Sequence, residues 1–184
     1  MNHPSHILTG DRTFLRPLTA ADRDPFIAMA TASRRFHSPW ATAPATTAAF
    51  AAYLQRTTSE RFVALVLCQR ANEQLAGVFN LSEIVRGGFQ NAYLGYYANA
   101  SFARQGLMTE GLRLTLKYAF KVLKLHRVEA NIRPGNVASI KLVRRCGFKR
   151  EGFSPRYLKI GGRWCDHERW AIRTDDWKQP ASRC

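Results

Sequence analysis

Acidic residues are what this chain has least of. Asp and Glu together number 13 against 28 Lys and Arg, a formal net charge of +15. That balance favours polyanions (nucleic acid, a ribosome surface or a phosphate-rich cofactor), although a basic surface with no nucleic-acid role has the same composition. Long apolar runs are also absent. No stretch reaches the about 18 consecutive apolar residues of a membrane-crossing helix, so no membrane partner is expected. The opening "MNHPSHILTGDRTF" has no apolar core segment, so no signal peptide is expected. Cysteines are few and far apart: Cys68, Cys146, Cys165 and Cys184 form no C-x-x-C pair, which argues against structural zinc, and no metal is expected. Without an export signal, free thiols in a reducing cytoplasm are the expectation, with Cys184 reactive only through terminal exposure. Two common phosphate motifs, G-x-x-x-x-G-K-[ST] and G-x-G-x-x-G, are missing. No repeat, low-complexity tract or linker divides the chain, so residues 1–184 read as one domain.

What is there is a run of alternating elements. "TFLRPL" reads as a first strand, and "TAADRDPFIAMATAS" as a helix with Thr19 and Asp22 near a capping-box spacing. Pro39 and Pro44 break the next stretch, and Thr46 or Thr47 caps a second helix through about Arg56. "FVALVLCQ" is a buried strand, "LAGVFNLSEIV" its antiparallel partner, and "AYLGYYA" a fourth strand. A long helix spans about Thr109 to Lys124, with Leu112, Leu116, Ala119, Phe120 and Leu123 on one face. "RVEANI" is a strand and "NVASIKLVRRCGF" a helix capped by Asn136 and stopped at Gly147. "GFKREGFSPRYLKI" and "RWCDHERWAIR" form a hairpin at Gly161-Gly162. The order implies an α/β domain with a mixed, mostly antiparallel sheet of about seven strands flanked by about four helices. The β–α–β crossover demands a parallel pair.

The joint "FARQGLMTEGL", between the fourth strand and the long helix, has two readings. Free N–H groups at the helix start and the helix dipole suit a pyrophosphate, Gly106 permits close backbone approach, and Arg104 adds charge. A strand–glycine–helix joint is also an ordinary corner.

Its neighbours extend the pattern. "SRRFHSPW", "IVRGGFQNAYLGY", "GLMTEGL", "LHRVEANIRPGN" and "YLKIGGRWCDHERWAI" agree in order and spacing with a known family. From about Ile7 to Trp177 the chain resembles the GNAT acetyltransferase superfamily. Within it, the chain is most similar to ribosomal-protein-alanine N-acetyltransferases of the RimJ/RimL type, nearer RimJ. The resemblance implies acetyl-CoA as co-substrate, held in a gap between "AYLGYYA" and "RVEANI". It assigns cofactor contacts to Tyr97, Ala98, Arg104, Gln105, Gly106, Leu107, Met108, Thr109, Asn136 and Ser139. Of the family pattern Q-x-x-G-x-G/A, the sequence keeps Gly106 and departs at Ala103 and Met108. Where many relatives have a tyrosine acid the chain has Val143, so Ser139 becomes the expected donor to the leaving thiolate. Asn136 reads equally as an N-cap, and Ser139 as a helix serine bonded to a nearby carbonyl.

A ternary-complex transfer needs a neutral amine. An N-terminal α-amine, with a pKa near 7.7–8.0, needs only a weak base, and no cysteine nucleophile is required. Glu83 is the first candidate base, with Asp166 and His167 as others; Glu83 reads also as an exposed strand carboxylate, and Asp166-His167 as hairpin supports. Phe36, Trp40 and Tyr157 are the expected acceptor contacts, the first two forming either a cleft wall or a plug over the core. The resemblance implies a ribosomal-protein N-terminus as acceptor, contact with the ribosome or rRNA through the basic surface, and a cytoplasmic location. The alternatives are a small-molecule or antibiotic amine acetyltransferase on the same fold, and a non-catalytic ribosome- or RNA-binding factor.

Overall fold

The computed structural model describes residues 6–178, so the first five residues and Cys184 lie outside the described residues. Eight strands form one sheet: β1 (Leu8–Thr9), β2 (Thr13–Pro17), β3 (Phe62–Gln69), β4 (Leu75–Val85), β5 (Asn91–Ala98), β6 (Arg127–Ile132), β7 (Lys149–Ile160) and β8 (Arg163–Arg173). Their order is β1-β2-β3-β4-β5-β6-β8-β7. Every neighbouring pair is antiparallel except β5 and β6, the parallel pair that the crossover demands. The helices are α1 (Arg23–Ala32), α2 (Arg34–His37), α3 (Thr47–Gln55), α4 (Leu107–Lys117) and α5 (Val137–Arg145). The mixed sheet expected from the sequence is present, with one more strand and one more helix among the described residues than expected. The additions, β1 and α2, are two and four residues long, too short to show periodicity.

Alternation along the strands sorts the core into two layers. Leu15, Leu65, Leu67, Phe79 and Leu81 face α4 and α5. Phe14, Ala64, Val66, Cys68 and Val78 point the other way, to Phe26 and Met29 of α1 and to Phe50 and Tyr53 of α3. β3 is covered on both faces, which is why it reads as a continuous apolar run. α4 approaches the sheet closely because Gly111 lacks a side chain: a Cβ there would stand 2.6–2.8 Å from Leu67 and Phe79. α4 begins two residues before the expected Thr109, because Gly106, at φ +81°, takes the N-cap position. The helix runs on as a π-helical turn, Tyr118–Val122, and stops where Lys124 turns left-handed.

One ion pair ties β2 to the start of α1. Arg16 clasps Asp22 through Nη1 at 2.8 Å and Nη2 at 2.5 Å, and the same carboxylate accepts the Thr19 N–H at 2.8 Å. Asp22 is buried, with a side-chain exposure of 3%, and that of Arg16 is 17%. Removing one partner of a buried pair strands the other charge. Asp22→Ala is therefore expected to lower unfolding free energy by about 3–5 kcal/mol in urea titrations. Asp24→Ala, at an exposed carboxylate, should leave the unfolding midpoint where it is.

Candidate active site

β5 and β6 pair over three residues only, Asn91↔Arg127, Ala92↔Val128 and Tyr93↔Glu129. Beyond them β6 stays with β8 as far as Ile132↔Glu168 and β5 stays with β4 as far as Gly77↔Ala98. Leu94–Ala98 and Ala130–Ile132 therefore face each other across a gap. A cleft of about 510 Å³ occupies it, lined from α2 and its loop by Phe36, His37 and Trp40, from β5 by Tyr96, from α5 by Ser139, and from β8 by His167. The flanking loop is fastened in place. Arg133 donates to the Pro39 carbonyl at 2.5 Å and lies 5.6 Å over the Trp40 ring, and Trp40 rests on Gly135.

The Asn99 N–H bonds to the Ala76 carbonyl of β4. Alternation then gives the peptide groups of Tyr97 and Gly95 to β4 and turns those of Ala98, Tyr96 and Leu94 toward the gap. So Ala98 faces the gap as expected, while Tyr97 is engaged with β4 and Tyr96 takes the position expected of it. The Ala98 carbonyl accepts from His37 Nε2 at 2.8 Å, which leaves the Tyr96 and Ala98 N–H groups as the open donors. The Tyr97 ring lies on the opposite face, 5.8 Å from the His37 ring and 6.2 Å from that of Phe26.

The head of α4 gathers the residues of the "FARQGLMTEGL" joint. Arg104 and Gly106 both have positive φ, +63° and +81°. Thr109 and Glu110 bond back to the Gly106 carbonyl, which leaves the N–H groups of Leu107 and Met108 without partners inside the helix. The Leu107 side chain is buried in the core, the Met108 sulfur packs on Gly77 of β4, and Gln105 donates to the Ser101 carbonyl at 3.4 Å. The Thr109 carbonyl accepts from the Cys146 thiol. Of this group, Arg104, Gln105 and Gly106 are exposed. The structure adds Arg12. Glu110 accepts the Arg12 and Thr13 N–H groups at 2.9 and 3.1 Å, and this brings the Arg12 guanidinium to 3.1 Å from where a Gly106 Cβ would stand. Arg12 lies 98 residues from Glu110, and no local pattern announces it.

Asn136 caps α5, its Oδ1 accepting the Ser139 N–H at 3.2 Å. Val143, the position without tyrosine, is fully buried in the core. A phenol is nevertheless present at the gap. Tyr96 Oη is shut off from solvent with no hydrogen-bond partner, and burial pushes its pKa up to about 12 against a smaller opposing pull from the neighbouring Ser139 hydroxyl. Asn131 Oδ1 and His37 Nδ1, on residues lining the same cleft, are likewise buried and unpartnered. Period-two alternation of "AYLGYYA" contains the Tyr96 signal, but only the observed register says which tyrosine faces the gap.

The candidate bases separate. Glu83 does not line the cleft: it sits at φ +47° in the β4 bulge, exposed, with its Oε2 2.7 Å from Arg61. The β3–β4 register places Phe62 opposite Ser82, which sets Arg61 beside Glu83. Asp166 accepts the Arg156 N–H at 2.8 Å and so holds the β7 bulge. His167 is buried and does line the cleft. Its Nδ1 lies 2.8 Å from the Cys165 carbonyl, so that nitrogen carries the proton and Nε2 keeps its lone pair. Burial lowers the imidazole pKa, and the nearby Arg133 charge lowers it further. Tyr157 stands behind, its ring 6.2 Å from that of His167. Phe36, 45% exposed, and Trp40 form the wall on the α2 side.

Among the described residues, no group of three or more His, Cys, Asp or Glu could hold a metal ion, and no helix is long and apolar enough to cross a membrane. A family model for the acetyltransferase (GNAT) domain matches residues 12–149. The Bacillus subtilis (strain 168) protein named "Probable N-acetyltransferase YjcK" is 30% identical over 181 residues, 94% of this chain and 100% of that one. The ribosomal protein uS5-alanine N-acetyltransferase of Escherichia coli (strain K12) is 40% identical over 105 residues, 57% of this chain and 54% of that one. The structure of Mycobacterium smegmatis RimJ in complex with a CoA disulfide superposes with a TM-score of 0.81 at 24% identity, over 89% of this chain and 82% of that chain. The matched span runs from the β1–β2 turn to the start of β7 and so takes in both sides of the gap; this chain belongs to the GNAT acetyltransferase family.

Proposed function

We propose that this chain transfers the acetyl group of acetyl-CoA to the N-terminal α-amine of a ribosomal protein, with alanine or a similarly small first residue, by direct attack in a ternary complex. The observation that carries the chemistry is one cleft with a neutral imidazole, His167, on one wall and two hydroxyls, Tyr96 and Ser139, on another. The acceptor class is supported by what the Escherichia coli relative is named for, and it implies work in the cytoplasm. The net charge of +15 would serve contact with rRNA beside such an acceptor.

Acetyl-CoA supplies the activated acyl group as a thioester. The residues present fit it. The turn at Gly106, the free N–H groups of Leu107 and Met108, the exposed Arg104 guanidinium, and the Arg12 guanidinium, whose charge is shared with Glu110 at 3.6 Å, form a cradle at a helix N-terminus for the pyrophosphate. The open N–H groups of Tyr96 and Ala98 are donors for the pantetheine amides and the thioester oxygen. His167 Nε2 takes the proton of the attacking amine. The Tyr96 phenol, protonated at any working pH, and the Ser139 hydroxyl stand ready to give a proton to the departing sulfur. Glu83, held by Arg61 outside the cleft, has no part in this scheme.

Two sets of measurements follow. Because burial disfavours the imidazolium, wild-type kcat should fall with decreasing pH only below the about 6.5 of free imidazole. His167→Gln should lower kcat by about 10²–10⁴-fold at neutral pH and move the acidic limb up toward the about 7.7–8.0 of the α-amine itself. Steady-state rates on an alanine-starting peptide across pH check this, and an unchanged profile would remove His167 from the mechanism. Tyr96→Phe and Ser139→Ala should each reduce kcat with little change in acetyl-CoA affinity. For the cradle, Arg12→Ala and Gly106→Val should weaken CoA binding in calorimetry while His167→Gln leaves it intact. Gly106→Val should also cost at least the roughly 1–2 kcal/mol of a left-handed non-glycine residue in thermal unfolding.

A further inference from the structure

A second hollow, of about 1030 Å³, adjoins the cleft and shares His37, Ser38, Ala41, Arg133 and Ile160 with it. It lies between α1–α2, the loop through residues 38–46 and the tip of the β7–β8 hairpin. Neither lining contains an aspartate or a glutamate. Both contain arginines, contributed by separate elements: Arg34 and Arg35 from α2, Arg133 after β6, and Arg163 from β8.

Among the described residues several other arginines meet carboxylates, while Arg104, Arg113, Arg144 and Arg145 have none within ion-pair distance. Arg16 holds Asp22, Arg61 holds Glu83, Arg127 holds Glu129 and Glu151, Arg150 approaches Glu168, and Arg173 holds Asp176. Arg133 is occupied by the Pro39 carbonyl and the Trp40 ring. Arg34, Arg35 and Arg163 have no side-chain hydrogen bond or ion pair among the described residues. Arg34 and Arg163 line the hollow and Arg35 the adjoining cleft, with no carboxylate in either lining, so the two connected concavities carry a positive potential focused by their walls.

We propose that the acceptor is anionic near its amine: an N-terminal segment with aspartate or glutamate side chains within its first few residues. This rests on the amine-acetylation reading above and narrows it. The hollow's apolar floor, with Ala30, Ala43, Pro44, Ala49 and Ile160, suits the small side chains and backbone of a short extended peptide. The rim arginines suit carboxylates that follow, in bidentate contact. An amine on a polycation, whether polyamine or basic tail, is repelled at the mouth and finds no carboxylate inside. RNA offers the right charge but no aliphatic amine to His167 at the cleft floor, so the peptide is favoured.

The test uses two peptides starting with alanine, identical except that one carries glutamates and the other lysines at the next few positions. The expected result is a kcat/KM roughly tenfold or more higher for the acidic peptide at low salt, narrowing as added salt screens the rim. In the Arg34→Ala, Arg163→Ala double variant the preference should shrink to about two- to threefold. Calorimetric binding of CoA reports whether that variant is folded, and Arg34→Gln with Arg163→Gln is the milder replacement if it is not. Equal rates for the two peptides, or a preference for the basic one, overturns the proposal while leaving N-terminal acetylation standing. A fluorescence-anisotropy arm, with CoA present, separates the two claims. Tight acidic-peptide binding that needs the arginines, with no acetylation, supports the anionic partner and sinks the acetyl-transfer reading. Arginine-dependent binding of a single-stranded RNA oligonucleotide, with no discrimination between peptides, overturns the proposal in favour of nucleic acid.

Discussion

The site depends on how briefly β5 and β6 pair. Parallel strands normally continue together until a loop ends one of them. Here each is drawn away by its other neighbour after three shared residues, β5 by β4 and β6 by β8. The peptide groups of Tyr96 and Ala98 are left facing open space in the middle of a sheet, where backbone groups are almost always paired. A sheet can keep such donors free only if something else satisfies them or a ligand does. His37 satisfies one acceptor, the Ala98 carbonyl, and the N–H groups are left over. The buried and unpartnered Tyr96 Oη, Asn131 Oδ1 and His37 Nδ1 belong to the same unmet demand. Buried groups of this kind are costly when unpaired and are what a polar, extended arm would pair with.

The second consequence is a division of labour between the sheet's two faces. α4 and α5 cover one face, with the Gly106 turn, Asn136 and Ser139 on that side. α1, α2 and the hairpin of β7 and β8 frame the other, with His167, Phe36 and Trp40. The gap is the passage between them. A passage of this kind is what the proposed direct transfer, without a covalent enzyme intermediate, would require. The cysteines agree with this. Burial pushes the Cys146 thiol up to about 12 and raises Cys68 as well, so neither is a thiolate at working pH.

Much of this was readable from residue patterns, for stated physical reasons. Periodicity located every strand longer than two residues, and the β–α–β crossover required the one parallel pair. Gly106, Asn136 and Gly161-Gly162 marked turns and caps that local chemistry dictates. What escaped was set by long-range pairing. Tyr96 and Tyr97 are adjacent and opposite-facing, and only the bonding of Asn99 to β4 decides which peptide faces the gap. Glu83 looked available until the β3–β4 register set Arg61 beside it. Arg12 reaches the cradle because Glu110, inside α4, holds the turn before β2. Of Asp166 and His167, alternation makes one a bulge support and the other a cleft residue.

The scarcity of acid, the first feature of the composition, acquires a place in space. With 28 basic residues to 13 acidic ones, every carboxylate that joins a structural pair leaves arginines without one. Among the described residues the pairs lie between Arg12 and Glu110 of α4, at the β2–α1 junction, in the first turn of α1, on the β3–β4 edge, across β6–β7, across β7–β8 and at the end of β8. None lies in the cleft or the hollow beside it. Arg34 and Arg163, from elements far apart in sequence, line the hollow, and Arg35 lines the adjoining cleft that holds His167. Arg133, shared by cleft and hollow, adds to burial in lowering the His167 pKa, against opposing contributions from the Cys165 carbonyl and Asp166. In the proposed scheme, charge that would attract a carboxylate-bearing acceptor lies beside the base, and Arg133 favours the form of that base that can take a proton.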